Sequence, residues 1–127
     1  MPHKVALATG KRVGNSRINN VRGPWSVFAK KLPTFAVTNE TYSEYMKMPP
    51  DQQGKIKEVG YFIGGRFSGG IRKRAELEAR SVITLDLDFL PSGDFEDIEF
   101  VYGGMEYVVH STHKHSYDIP RYRIVIP

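Results

Sequence analysis

The tripeptide Asp86-Leu87-Asp88 carries the plainest chemistry in this 127-residue sequence. Side chains alternate along an extended strand, so residues 83, 85, 87 and 89 share one face, while Val82, Thr84, Asp86 and Asp88 share the other. Two carboxylates about 7 Å apart on one face repel each other unless a positive charge stands between them. A divalent cation, Mg²⁺ or Mn²⁺, is one such charge, because these hard ions take carboxylate oxygens together with substrate phosphates. The plainer alternative is a pair of solvated aspartates on an edge strand. Against it stands the poor fit of Asp to the interior of so apolar a run.

The last strand-like segment repeats the pattern with opposite charge. Tyr122, Ile124 and Ile126 share one face, and Arg121, Arg123 and Val125 the other. Two guanidiniums side by side suit phosphate oxygens, onto which Arg forks. The same pair could instead form a cross-strand ladder with Asp86 and Asp88, and both readings stay open. His110, His113 and His115 crowd together, but their spacing matches no standard zinc site and a strand would divide them between two faces. Ser111-Thr112-His113 lies where a strand gives way to a polar turn, and its hydroxyls and imidazole could donate to a triphosphate. Surface histidines of a hairpin loop are the bland alternative. The glycines of 64–70, with Arg66 and Arg72, could bring N–H groups to a phosphate. They form neither a Walker loop nor a GxGxxG fingerprint, so an ordinary hairpin turn is expected there. There is no nucleophile-elbow serine and no HExxH.

These groups need elements to hold them. Residues 81–89 and 107–112 and the segment 122–126 read as β-branched strands. Residues 38–48 read as a short helix with Thr38 as N-cap and Tyr42, Tyr45 and Met46 on one face, ended by Pro49-Pro50. A second short helix is expected over 51–58 with Asp51 as cap, weakened by Gly54. Residues 59–63 are β-prone, and 94–100 fit a helical turn or a strand. Residues 1–24, rich in Gly, Asn, Ser and Arg, show neither apolar period and read as a flexible arm. The expectation is one α+β domain over 25–127 preceded by a basic arm.

Composition narrows the classes. The chain is 40% hydrophobic and 25% charged, ordinary values that argue against a disordered or fibrous protein. With no cysteine, disulfide scaffolds, CxxC redox sites, cysteine nucleophiles and cysteine zinc fingers are excluded. No apolar run approaches the roughly 18 residues of a membrane span, and no signal-peptide order opens the chain, so a cytoplasmic protein is expected. The net charge of +4 hides a polarity. The first 31 residues hold seven bases and no acid, whereas the remainder sets eleven bases against all fourteen acids. A one-sided basic segment is the usual footprint of a polyanionic partner, and a merely solubilising tail is the alternative.

The order of motifs (a strand with DxD, Ser-x-His at a strand end, then a strand with paired arginines) resembles the archaeo-eukaryotic primase superfamily. Its first motif is hydrophobic-hydrophobic-Asp-hydrophobic-Asp and its second is Ser-x-His. The likeness is greatest to primase-polymerase domains of phages and mobile elements. It covers roughly residues 25–127, and the closing block VVHSTHKHSYDIPRYRIVIP is its most specific part.

The resemblance implies an RRM-like, mainly antiparallel sheet with flanking helices, the primase-polymerase scaffold. It implies a nucleotidyltransferase, a DNA primase or polymerase, using two metals, Mg²⁺ or Mn²⁺, in a bacterial host cell. Asp86 and Asp88 would hold the metals. Ser111 and His113 would contact the nucleotide's phosphates, with His113 serving catalysis and Arg121 and Arg123 as helpers. Lys11, Arg12, Arg17, Arg22, Arg72, Lys73 and Arg74 would track a single-stranded DNA template. Nucleoside triphosphates are the expected substrates and a replicative helicase the expected partner. The superfamily's third motif, a hydrophobic residue followed by Asp, should lie beyond the arginine strand, so the catalytic scaffold is expected to be incomplete at its C-terminus. The alternatives are a non-catalytic nucleic-acid-binding module or inhibitor on the same scaffold, and a metal-dependent nuclease.

Overall fold

The computed structural model describes residues 3–32, 38–88, 90 and 95–127. Phe89, placed by the sequence on the DxD strand, and Asp94, placed in the segment before 100, lie outside these residues.

The fold is α+β. In chain order the elements are β1 (Lys4–Gly10), β2 (Asn19–Pro24), α1 (Trp25–Lys31), α2 (Tyr42–Lys47), α3 (Pro50–Ile56), β3 (Tyr61–Ile63) and β4 (Gly65–Phe67). A 3₁₀ turn (Arg74–Glu76) leads to β5 (Leu77–Arg80), β6 (Ile83–Leu87), α4 (Phe95–Tyr102), β7 (Val108–Ser111) and β8 (Tyr122–Ile126). They form three small sheets, ordered β2-β1-β3, β4-β5 and β6-β8-β7. The pairs β1–β3, β4–β5, β6–β8 and β7–β8 are antiparallel. Two compact units divide the chain, one from residues 1–5, 23–34 and 82–127, the other from 6–22 and 35–81.

The N-terminal segment departs from the expected flexible arm. Residues 4–10 are a strand whose Val5, Leu7 and Ala8 are buried, and β2 runs to Pro24, directly into α1. Small alanines dilute the apolar signal of β1, while burial of its side chains supplies the stabilisation that local propensity does not announce. In the unit of residues 6–22 and 35–81, Ala8, Ile18 and Phe67 form a buried cluster flanked by Tyr61, Ile63 and Leu77. Asn20 ties β2 to β4: its Nδ2 donates to the carbonyls of Phe67 and Gly69, and its Oδ1 accepts from the Phe67 N–H. One side chain thus satisfies backbone groups that a neighbouring strand would otherwise serve.

The glycine run expected to be a hairpin turn contains a strand instead. Gly65 stands opposite Arg80, and a Cβ built on it would lie 2.5 Å from the Ala79 carbonyl oxygen. Only glycine permits this approach of two backbones. The first central helix starts later than expected, at Tyr42, with Thr41 rather than Thr38 as N-cap. Thr41 Oγ1 accepts from the Glu44 N–H while the Glu44 carboxylate accepts from the Thr41 N–H, a complete capping box. In α3, Pro49 takes the N-cap position and Pro50 the first turn, where a missing N–H costs nothing; Asp51 lies inside that turn rather than capping it. Segment 95–102 resolves as helix.

Candidate functional site

The sheet β6-β8-β7 positions the charged groups singled out above. The apolar members of β6 and β8 anchor it: Ile124 and Val125 are fully buried, and Ile124 stands between Leu85 and Val109. Fixing these residues fixes the register, and the register decides which charges meet. Asp86 stands opposite Arg123, and Arg123 opposite His110, so one row across three strands reads Asp86, Arg123, His110. Directly opposed residues project to the same face of a sheet, so these three share one.

On that face Arg123 forks onto Asp86. Its Nε donates to Oδ1 at 2.6 Å and its Nη2 to Oδ2 at 3.1 Å. Those hydrogen bonds hold the Asp86 carboxyl below its ordinary value, against the opposing effect of partial burial; the positive charges of Arg123 and His110 add to the depression. Arg123 is pushed up correspondingly, first by its hydrogen bonds to Asp86 and then by attraction to Asp86 and Asp88.

The second pair is looser. Arg121 Nη1 lies 3.7 Å from Asp88 Oδ1, beyond the 2.7–2.9 Å of a charge-assisted hydrogen bond. Its Nε is buried with no hydrogen-bond partner. The backbone around it is well tied: the Arg121 N–H donates to His115 Nδ1 at 3.1 Å, and its carbonyl accepts from the Thr112 N–H at 3.1 Å. His115 also tilts against Tyr122, with ring centroids 4.9 Å apart, and Phe95 of α4 meets Tyr122 edge-on. Arg121 is therefore held in place with donor capacity unspent, whereas Arg123 is committed to Asp86.

The predicted site residues divide accordingly. Asp86, Asp88, Arg121 and Arg123 come together as two cross-strand ion pairs, the ladder arrangement weighed in the sequence. Ser111 stands opposite Tyr122, on the face away from Asp86. His113 is exposed in the turn after β7. His110 and His115 carry roles the sequence did not assign them, because both depend on cross-strand register and on a loop closure that spacing alone does not disclose. Among the described residues no group of three or more His, Cys, Asp or Glu is arranged to hold a metal ion. A cleft of about 380 Å³ lined by His3, Met105, Glu106, Ile126 and Pro127 sits by the end of β8 remote from Arg121.

Several basic residues outside this sheet lie on two segments that pair with each other. Segment 11–17 docks on segment 70–74 through an Arg17–Ile71 bridge and hydrogen bonds from Ile18 N–H to Gly70 and from Arg72 N–H to Ser16. Lys11, Arg12, Arg17, Lys73 and Arg74 are exposed there, and Arg22 is exposed on β2. Arg72 differs from them. Its Nη2 donates to the Val13 carbonyl at 2.6 Å, and its guanidinium lies 4.9 Å from the centre of the Tyr61 ring.

Comparison with protein families gives a match to the VapE N-terminal domain model over residues 1–127, the whole length of the chain. The chain belongs to the VapE N-terminal domain family. That family is associated with phages and mobile elements. Neither the curated proteins nor the solved structures yielded a match. The VapE match begins at residue 1, so it takes in β1 and β2 together with the acidic and basic strands. No helix among the described residues of this VapE domain is long and apolar enough to cross a membrane.

Proposed function

We propose that this VapE-family domain handles nucleoside triphosphates on a DNA template, as a primase-polymerase type nucleotidyltransferase on an RRM-like sheet. The observation carrying this reading is the shared face of Asp86, Asp88, Arg121 and Arg123, which sets two carboxylates beside two guanidiniums. The donor chemistry fits a divalent cation, since Mg²⁺ is commonly held by one or two carboxylates with water and substrate phosphates completing its shell. Asp86 and Asp88 would hold it, and it would supply charge neutralisation at the transferring phosphoryl group. Arg121, whose Nη1 is only loosely paired with Asp88, is the guanidinium that would turn to phosphate oxygens; Arg123 becomes available only when Asp86 lets it go. Ser111 is not included in this face, and His113, from its turn, would reach the substrate at the edge.

A second reading is supported by one feature: both oxygens of Asp86 are already engaged by Arg123. A pair so satisfied suits a non-catalytic nucleic-acid-binding module that keeps the sheet and uses the aspartates to position arginines.

Titration of Mn²⁺ and labelled deoxynucleoside triphosphate in the presence of a primed single-stranded template separates the readings. Manganese binding seen by electron paramagnetic resonance, with template-dependent incorporation, both lost in Asp86→Ala, is the expected result. DNA binding that survives Asp86→Ala and Asp88→Ala with no synthesis by the unaltered chain would sink the polymerase reading in favour of the module. Metal-dependent degradation of the template would point to a nuclease.

A further inference from the structure

We infer that segment 11–17, braced against 70–74, is a preformed surface for the backbone of single-stranded nucleic acid, and that Arg72 shapes this surface rather than touching the ligand. The choice of partner rests on the nucleotidyltransferase reading, but the surface lies in the other compact unit and is argued from its own bonds.

A loop that binds a flexible polyanion gains most when its own ordering costs have been met before the ligand arrives. Segment 11–17 meets that condition. The carbonyls of residues 12, 13, 15 and 16 each accept a hydrogen bond, from the Asn15 N–H, Arg72 Nη2, Tyr61 Oη and the Arg72 N–H respectively. Asn15 Oδ1 accepts from the Arg17 N–H at 3.0 Å, and the Glu58 carboxylate accepts from the Gly14 N–H. The Tyr61 ring lies where a Cβ on Gly10 would have to go, so glycine at the loop's entry lets the aromatic bracket close. Much of the backbone is thus engaged in holding the loop, while Lys11, Arg12 and Arg17 are exposed cations, as are Lys73 and Arg74.

Arg72 joins the two segments through main chain and side chain alike, beside the Arg17–Ile71 bridge. Its main-chain N–H and its guanidinium both bind the loop, and the guanidinium faces Tyr61. Planar stacking combined with a directed donor suits Arg and is poorly reproduced by Lys. The exposed cations supply point charges along the segment, so the surface would track phosphates with strong salt dependence and little sequence preference.

The test is fluorescence anisotropy of a labelled oligo-dT with the full chain, at about 50 and 200 mM salt. Three proteins are compared with the unaltered one. The triple variant K11E/R12E/K73E is expected to bind about tenfold or more weakly and with a shallower salt slope. K47E/K55E/K57E, which removes the same charge from elsewhere in that unit, is expected to change affinity less than threefold. Arg72→Lys, which keeps the charge, is expected to weaken binding several-fold and to accelerate amide exchange across 11–17. Equal losses in the two triple variants would overturn the surface assignment in favour of bulk charge. Unaltered binding and exchange in Arg72→Lys would overturn the bracing role. Oligo-dT binding that is absent, or binding by the unaltered chain of vesicles rich in anionic lipid in place of oligo-dT, would overturn the partner. The anisotropy is read with no metal or nucleotide present, so failure here and failure of the metal site are read separately.

Discussion

Asp86 and Arg123 face each other across β6 and β8 and share two near-parallel hydrogen bonds, so the acidic strand is neutralised by its neighbour within the fold. The pair is about half exposed, which limits its contribution to roughly 0.5–1 kcal/mol at moderate salt. A double-mutant cycle with Asp86→Asn and Arg123→Gln, followed by chemical denaturation, should return a coupling of that size. Its pH dependence has a definite sign. Asp86 is depressed in the folded state, so its stabilisation is complete above the ordinary carboxylate range and disappears as pH falls through the lower folded value. Asp86→Asn should flatten the acid limb of stability against pH; an unchanged limb would remove the pair from that role.

The face holding this pair was largely legible in the sequence. Strict alternation in β6 and β8 assigned Asp86, Asp88, Arg121 and Arg123 to common faces, and β8 begins and ends at the residues expected. What alternation could not decide was register, which brings Arg123 onto Asp86 rather than onto a ligand and adds His110 to the row. Register depends on long-range burial of Ile124 and Val125, not on local spacing. β1 has a faint signature in the sequence because Ala6 and Ala8 carry little local signal and acquire their meaning from packing. β4 is masked in the sequence because glycines that usually mark turns here permit close contact with β5. In the sequence His115 is one of three clustered histidines, whereas in the fold its ring closes the loop that leads into Arg121.

The capping box of α2 gives a local prediction. Thr41→Ala removes the acceptor for the Glu44 N–H and the hydroxyl's hydrogen bond to the Glu44 carboxylate, leaving only the one from the main-chain N–H of residue 41. A loss of about 1 kcal/mol is expected, with Thr41→Ser close to the unaltered protein. Thr38→Ala should be silent by the same denaturation measurement. Equal effects at the two threonines would place the cap wrongly.

Gly65 offers a sharper steric test. In Gly65→Ala the new methyl would meet the Ala79 carbonyl and the Leu77 side chain, at 2.5 and 3.0 Å in the unshifted backbone. The carbonyl belongs to the paired strand and cannot move without parting β4 from β5. A cost of about 1–3 kcal/mol is expected, with faster amide exchange across residues 77–80. Gly54→Ala is the matched control, since nothing lies within 4 Å of a Cβ there and α3 should gain about 0.5–1 kcal/mol from the better helix former.

His115 connects the loop to the candidate phosphate-binding arginine, and two substitutions separate its two contacts. Because Nδ1 accepts the Arg121 N–H, the imidazole carries its proton on Nε2. His115→Phe keeps a ring against Tyr122 but leaves that N–H without its partner; His115→Ala removes both contacts. Losing the acceptor should cost about 1–2 kcal/mol, and losing the ring contact about another 0.5–1. The more specific readout is exchange at the Arg121 amide, which should accelerate in both variants while the amide of Ile124, deep in β8, slows or accelerates only with global stability. Triphosphate affinity should fall in both, since Arg121 would lose the backbone anchor that aims it. Protection of the Arg121 amide in His115→Phe equal to that in the unaltered chain would show that the loop is held by something other than this bond.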